Sequence, residues 1–347
     1  MRVLAILHGL IGDTLMRVSA LRALREAHPD SRMMAIVDPV TAPVLAVNPL
    51  VDELLVWDRR DRQMRNQIAR VKRMRAFHPD VALDFYFGSR TPWVAWLSGA
   101  SRRIGPARSA IARRLLTDPL SLPLPADEHM LERYGALVRP LGVRDLRREW
   151  EFPIHAKVRA RMRERVGPLQ PDDIVFVVGA GDESKRLAED RTREFLEELI
   201  EQTGRRVLLV EDRREPALGA ELTRIGGVHP LPGLALPELG ALFNEVALVV
   251  VPDTGPLHIA LGTAPRVLTW YQSTDPLVHR SDRPGSESLY REVCEWQPCD
   301  TQMKHRCQLE CTRSIEVDEL VEAARKLLSG PAWEAPDLPA RDPETVL

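Results

Sequence analysis

The sequence predicts an α/β protein made of two doubly wound, Rossmann-like parallel-sheet domains, and three observations predict it. Apolar runs of four or five residues recur without the polar alternation of a one-sided strand. Segments with helical spacing lie between them. The whole alternation then begins again after a charged, proline-bearing stretch near the middle of the 347 residues.

In the first half the strand-like runs are Val3–Leu7, Met33–Val37, Leu54–Trp57, Val81–Asp84 and a weaker Arg103–Gly105. Helices are expected between them at Thr14–Ala27, Ala42–Val47, Gln63–Phe77, Trp93–Ser98 and Leu131–Leu141. In the first helix Leu15, Val18, Leu21 and Leu24 share a face, with Arg17, Arg22 and Arg25 off it. Pro153, Gly167, Pro168 and Pro171 punctuate Glu149–Asp173, which predicts the domain boundary.

The second series of strands is Ile174–Val178, Val207–Val210, Leu248–Val251 and Val267–Trp270. Its helices are Thr192–Gln202, Ala217–Ile225, Pro237–Asn244, Pro256–Leu261 and a closing Val317–Leu328. The expected division is therefore 1–155, 156–330, and a proline-rich tail of low apolar content, 331–347, expected to be disordered. In such sheets ligands bind beyond the carboxyl ends of the strands.

Composition narrows the function. No apolar run approaches the roughly 20 residues that span a bilayer, and the chain opens on a strand without a signal-peptide pattern, which predicts a cytoplasmic protein. The net charge of −2 hides a polarity: residues 1–150 carry 24 Lys and Arg against 16 Asp and Glu, and the remainder 24 against 34. The densest basic stretch, Arg59–Arg75, reads either as a solvated helix face or as a patch for a phosphorylated substrate or an anionic membrane. No nucleic-acid motif accompanies it, so no nucleic-acid partner is expected.

Three stretches carry chemistry. In "GLIGDTLMRVSALRALREAHP", a glycine loop ends a strand and Asp13 stands where a helix begins. Asp13 suits both an N-cap and a catalytic base at a strand–helix junction. In "VVGAGDESKRL", Gly179 and Gly181 precede Ser184 and Lys185, a loop and a point charge suited to a diphosphate. In "VVVPDTGPLHIALGTAPRVLTWYQSTDP", a strand ends at Asp253 and a helix starts near Pro256. Amides near Gly255, the Thr254 hydroxyl and His258 one turn on would make an anion site there; the bland alternative is an ordinary turn capped by Asp253 or Thr254. Cys294, Cys299, Cys307 and Cys311 have C-x4-C-x7-C-x3-C spacing, which departs from the C-x2-C pair of common zinc sites. That leaves a structural role as the preferred reading and a zinc site as the other. No serine elbow, H-E-x-x-H or Walker motif is present. A nicotinamide-dependent oxidoreductase is disfavoured, because "HGLIGD" is not G-x-G-x-x-G and Asp38 is the nearest candidate for a ribose-binding acid.

Together the three stretches resemble glycosyltransferase family nine, the bacterial lipopolysaccharide heptosyltransferases and their relatives, over roughly residues 1–328. The resemblance implies a GT-B fold with the two domains facing across a cleft. It implies an inverting transfer of heptose or a related sugar from a nucleotide diphosphate sugar, ADP-heptose in the family, to a lipopolysaccharide core or similar anionic lipid-linked glycan. Peripheral contact with the inner membrane follows from such an acceptor. No cofactor beyond the nucleotide-sugar co-substrate is implied. Carried over by motif, Asp13 is the general base. Ser184, Lys185, Asp253, Thr254, Gly255, Pro256 and His258 face the donor, and Gly12, Thr14, Arg59 and Arg60 face the acceptor. Three features depart from the family pattern: Leu7 stands where a basic residue is common, Leu187 where a tryptophan often follows the lysine, and the "EDRREPA" after Val207–Val210 lacks the glycines often found there. A degenerate member that binds a nucleotide sugar or glycolipid without turnover is the alternative.

Overall fold

The computed structural model describes residues 1–121, 129–144, 146–147, 149–211, 216–299, 307–336 and 338–343. The chain divides into two compact units, Met1–His155 with Leu338–Leu347, and Ala156–Asp337. In the first, β1 (Arg2–Ile6), β2 (Arg32–Val37), β3 (Glu53–Val56), β4 (Val81–Asp84), β5 (Arg102–Pro106) and β6 (Asp118–Leu120) form a sheet in the order β3-β2-β1-β4-β5-β6. Every pairing is parallel, with Val3 beside Met33 on one flank and Val81 on the other. The helices of this unit are α1 (Ile11–Ala27), α2 (Ala42–Ala46), α3 (Met64–Ala76), α4 (Thr91–Leu97), α5 (Ala110–Leu115) and α6 (Met130–Val138).

The second unit repeats the plan. Its strands are β7 (Ile174–Val177), β8 (Val207–Val210), β9 (Val228–Pro230), β10 (Leu248–Pro252), β11 (Val267–Tyr271) and β12 (Ser286–Tyr290), ordered β12-β11-β10-β7-β8-β9 and all parallel. Its helices are α7 (Ala156–Val166), α8 (Glu189–Thr203), α9 (Pro216–Leu222), α10 (Leu236–Asn244), α11 (Gly255–Leu261), α12 (Pro276–His279) and α13 (Val317–Ser329). In both sheets the direction of winding reverses between the first and fourth strands, β1 with β4 and β7 with β10. A crevice opens at such a point because the loops leave toward opposite faces.

The central strands are buried on both faces, which is why they read as unbroken apolar runs: Val3, Leu4, Ala5 and Ile6 are all fully buried. In the second unit α8 and α13 pack together over Phe176, Phe195, Trp270 and Leu320. Each fully buried side chain of this size contributes roughly 1.5–3 kcal/mol.

The differences from the sequence reading have physical causes. β6, β9 and β12 were not expected; two are three-residue strands containing proline and the third opens with three polar residues, Ser286, Glu287 and Ser288, as edge positions allow. α7 lies inside the stretch read as boundary. Only Val158 and Met162, one turn apart, are buried in it, and Arg159 and Arg163 pair with Glu245 on the neighbouring segment after α10. α1 starts at Ile11, three residues earlier than expected, and buries Arg17 rather than leaving it on a polar face. Arg22 is also largely buried, paired with Glu151.

The tail was expected to be disordered. The Trp333 amide donates to the Pro265 carbonyl (2.9 Å), its ring lies 4.2 Å from the buried Arg283 guanidinium, and the Arg341 amide donates to the Val47 carbonyl (2.9 Å). We expect Trp333→Ala to lower the stability of the second unit by about 1–2 kcal/mol, read from the urea midpoint. An unchanged midpoint would show that the tail contributes nothing to it.

Candidate active site

At the end of β1 the Leu7 amide donates to the Ile36 carbonyl (2.9 Å), which holds the following loop against β2. Gly9 then takes φ +134°, and its amide donates to Asp38 Oδ2 (2.8 Å). A Cβ at Gly9 would lie 3.3 Å from Arg17 Nη1 and 3.4 Å from Asp13 Oδ2, so glycine admits both side chains close to the backbone. Leu10 takes the N-cap position without a side-chain cap, and Asp13 falls in the first turn of α1. The cap reading is therefore corrected. Asp13 Oδ1 instead accepts from the Tyr134 hydroxyl of α6 (3.3 Å), and the carboxylate remains partly exposed.

Arg17 is 3% exposed, donates through Nη1 to the His8 carbonyl (2.5 Å) and lies 5.2 Å from the Tyr134 ring centre. Burial, opposed by Arg17, holds the Tyr134 phenol well above its usual pKa, so it serves as a neutral donor. Leu7 is fully buried and brings no charge to the loop. His8 brings none at neutral pH either: burial lowers its pKa to about 4, despite Asp38 Oδ1 at 3.4 Å from Nδ1.

Asp38 joins this group to a second cation. Its Oδ1 accepts from Arg59 Nε (2.9 Å), and the same guanidinium lies 4.7 Å from the Tyr86 ring centre and donates to the Tyr86 hydroxyl. With one oxygen on Gly9 and the other on Arg59, Asp38 is fully engaged as a brace, which is a poor state for binding a ribose. Nearby in sequence order, Asp84 at the end of β4 accepts from Thr91 Oγ1 (2.5 Å) and the Tyr86 amide (3.1 Å); burial raises its pKa to about 6.

The expected acceptor residues thus separate. Asp13 and Arg59 belong to one connected group running through Arg17, His8 and Asp38. Arg60 is exposed, its amide held by Asp58 (2.8 Å). Gly12 and Thr14 are buried, and the Thr14 hydroxyl donates to the Leu10 carbonyl (3.0 Å) at the helix start.

In the second unit the loop after β7 brings Lys185 to Asp253 at the end of β10, Nζ to Oδ2 2.8 Å. Thr274, after β11, donates to the same oxygen (2.6 Å). Asp253 is 4% exposed. Burial pushes its pKa up, but Lys185, His258 and these two hydrogen bonds outweigh that and hold it below the ordinary carboxylate range. Thr254, Gly255 and Pro256 are partly exposed where α11 begins, and His258 is buried one turn further. Thr254 occupies the N-cap position without capping; its hydroxyl donates to the Pro252 carbonyl (3.2 Å).

Ser184, expected to face the donor, lies deeper in this loop. It is 2% exposed, with Oγ 2.7 Å from Asp182 Oδ1 and 2.8 Å from Ser273 Oγ, and it fixes the lysine loop from behind. The Trp270 indole donates to the Lys185 carbonyl (3.1 Å), so β11 supplies a tryptophan beneath the loop while Leu187 fills the core.

The cysteine segment supports the same loop. The Cys299 amide donates to the Ser273 carbonyl (2.8 Å), and the buried Cys311 thiol lies 3.9 Å from the Ser184 carbonyl oxygen. Burial, and then the neighbouring thiols, raise the Cys311 pKa to about 11. All four cysteines are free thiols, and among the described residues no three His, Cys, Asp or Glu side chains are grouped to hold a metal ion.

Tyr134, Arg17, Tyr86, Thr274 and Trp270 were not assigned to a site from sequence, and Asp38 was named only as a candidate ribose-binding acid. Thr274 and Trp270 stand inside the "TWYQSTDP" string, the one signal that pointed near them; Tyr134 lies 121 residues from Asp13.

Two outcomes follow. His8 titrates near 6.5 unfolded and about 4 folded, so its contribution to stability is present above pH 6.5 and lost as pH falls toward 4. Comparing urea midpoints at pH 5 and pH 7.5, His8→Gln should remove a loss of about 2 kcal/mol; equal pH dependence in both proteins refutes the assignment. Lys185→Met should destabilise the second unit by about 3 kcal/mol by leaving a buried carboxylate unpaired. Adding Asp253→Asn should recover much of that, and a double variant no more stable than the single would refute the pairing.

The model of glycosyltransferase family 9 (heptosyltransferase) matches residues 69–312. The chain is 23% identical over 344 residues to lipopolysaccharide heptosyltransferase 3 of Escherichia coli K12, covering 91% of this chain and 95% of that protein. A family 9 glycosyl transferase from Veillonella parvula superposes with a TM-score of 0.81 at 20% identity, covering 94% of this chain and 97% of that one. For the E. coli ADP-heptose lipopolysaccharide heptosyltransferase II the TM-score is 0.76 at 19% identity, covering 94% and 98%. The E. coli heptosyltransferase WaaC, solved with ADP-2-deoxy-2-fluoro heptose, gives 0.69 at 18%, covering 94% and 99%. The solved structures bear on the fold, and the family model spans well over half of the sequence. The chain belongs to glycosyltransferase family 9.

Proposed function

We propose that this glycosyltransferase moves heptose, or a closely related sugar, from ADP-heptose to a lipopolysaccharide core or similar anionic lipid-linked glycan, with inversion at the anomeric carbon. Asp13 takes the proton of the acceptor hydroxyl while that oxygen attacks the anomeric carbon, and the bond from that carbon to the diphosphate breaks, releasing ADP. The observation that carries this reading is the state of Asp13: a partly exposed carboxylate at the β1–α1 junction, oriented by the Tyr134 hydroxyl and not engaged as a helix cap. Buried neighbours in fixed positions keep a base aimed without reorganisation.

The donor half rests on Lys185, with Asp253 and Thr274 fixing its ammonium, and on the partly exposed Thr254–Pro256 turn. A lysine held by a buried carboxylate keeps its place, and offers its remaining protons to a diphosphate leaving group. Arg59, braced by Asp38 and Tyr86, is the cation best placed for an acidic acceptor. Two relatives named for lipopolysaccharide transfer and one solved with an ADP-heptose analogue support the choice of substrates.

Asp13→Asn keeps size and polarity but removes the base. We expect transfer to fall by about 10²–10⁴-fold with donor affinity and melting temperature unchanged. Tyr134→Phe should lower kcat by about tenfold with little change in the donor KM, since it loosens the base without touching the donor. Full transfer by Asp13→Asn, or a wild type that binds ADP-heptose and never turns it over, would favour the degenerate binding protein instead.

A further inference from the structure

Asp84 ends β4 beside Ile6 of β1 and is fully buried. A buried carboxylate must have its oxygens satisfied, and those of Asp84 turn to the loop that follows it. Oδ1 accepts from the Tyr86 amide (3.1 Å) and Oδ2 from the Thr91 hydroxyl (2.5 Å), and the carboxylate also accepts from the Phe87 amide.

That loop is strained. Phe87 takes φ +60°, a conformation that a bulky residue holds only when its surroundings impose it. Gly88 makes room for the turn, since a Cβ there would lie 2.5 Å from Tyr86 Cδ1. Thr91 closes the loop as the first residue of α4, with its hydroxyl also 3.0 Å from the Gly88 carbonyl.

The side chains of the loop meet groups that the transfer uses. The Tyr86 ring centre lies 4.7 Å from the Arg59 guanidinium, and its hydroxyl accepts from the same group. The Phe87 and Tyr134 ring centres are 6.1 Å apart, and Phe85 flanks the same phenol at 6.0 Å. Tyr134 orients Asp13, and Arg59 is the cation offered to the acceptor. One short loop, clamped by a single carboxylate, touches both.

We infer that Asp84 is a positioning residue: by clamping Phe85–Thr91 it aims the base through Phe87 and Tyr134, and the acceptor-binding guanidinium through Tyr86. The kinetic consequences rest on the proposed transferase function; the clamp does not. Its role needs hydrogen bonds rather than charge. Asparagine can keep them, because its oxygen accepts from the amides and its nitrogen donates to Thr91 Oγ1, whose proton turns to the Gly88 carbonyl.

The test is steady-state transfer from ADP-heptose to a lipopolysaccharide core acceptor, with melting temperatures alongside. Asp84→Ala should lower kcat by about 10- to 100-fold and raise the acceptor KM, with the donor KM unchanged. Asp84→Asn should restore most of both. Thr91→Val should act in the same direction, and adding it to Asp84→Ala should cost little more, since both cut one network. Tyr86→Leu should raise the acceptor KM and leave kcat nearly intact. Wild-type kinetics in Asp84→Ala, a change confined to melting temperature or donor KM, or an Asp84→Asn as impaired as Asp84→Ala, each overturns the inference. Hydrogen exchange in the substrate-free chain separates its failure from that of the transferase reading. Asp84→Ala should speed exchange of the Phe85–Thr91 amides by about tenfold or more, and Asp84→Asn by much less. That pattern beside a wild type that transfers nothing refutes the transferase reading and leaves the clamp standing. Transfer by wild type with equal exchange in all these proteins refutes the clamp.

Discussion

Each unit depends on a parallel sheet buried on both faces, in which the backbone polar groups are consumed by the ladders. Polar chemistry is then confined to the strand ends, and the two places where the winding reverses leave room for it. In the first unit β1 leads to Gly9 and Asp13, β2 to Asp38, β3 to Arg59, and β4 ends on Asp84. In the second, β7 leads to Lys185, β10 to Asp253 and β11 to Thr274. Residues far apart in sequence meet because the strands that deliver them are neighbours in the same sheet.

The electrostatics of both sites follow from burial. A carboxylate that is nearly inaccessible must be paired, hydrogen-bonded or protonated. Asp253 takes the first two courses, through Lys185 and Thr274. Asp38 does the same with Arg59 and the Gly9 amide. Asp84, which accepts from the Thr91 hydroxyl and from backbone amides but has no ion-pair partner beside it among the described residues, has its pKa raised by burial to about 6. Asp13 differs from all three: it is partly exposed, and the phenol that orients it stays neutral because it is buried itself. A base that is held yet accessible suits proton transfer better than one enclosed in an ion pair. Behind the lysine loop the cysteine segment leans on Ser273 and Ser184, so the covering of the β11 end and the placement of Lys185 are mechanically linked.

Much of this was legible in the sequence, and the limits are instructive. Central strands such as Val3–Ile6 and Leu248–Val251 announce themselves because burial on both faces demands apolar residues at every position. The edge strands β6, β9 and β12 gave no such signal, since one flank and much of their surface stay open. Asp13, Lys185 and Asp253 were readable because strand–loop–helix junctions have local signatures. Ser184 and Thr14 were readable as polar residues in the right loops, but their hydroxyls turned inward to satisfy Asp182 and the Leu10 carbonyl.

The sequence by itself determined the two-sheet architecture and the loops that carry the chemistry, because hydrophobic periodicity and glycine–aspartate punctuation are properties of neighbouring residues. Only the tertiary structure decided what each side chain does. Tyr134 reaches Asp13 across 121 residues, Arg17 is buried from a face that looked polar, and Lys185 is committed to Asp253 across 68. Such pairings follow from which strands and helices become neighbours and from the need to satisfy every buried charge, and no local pattern encodes either.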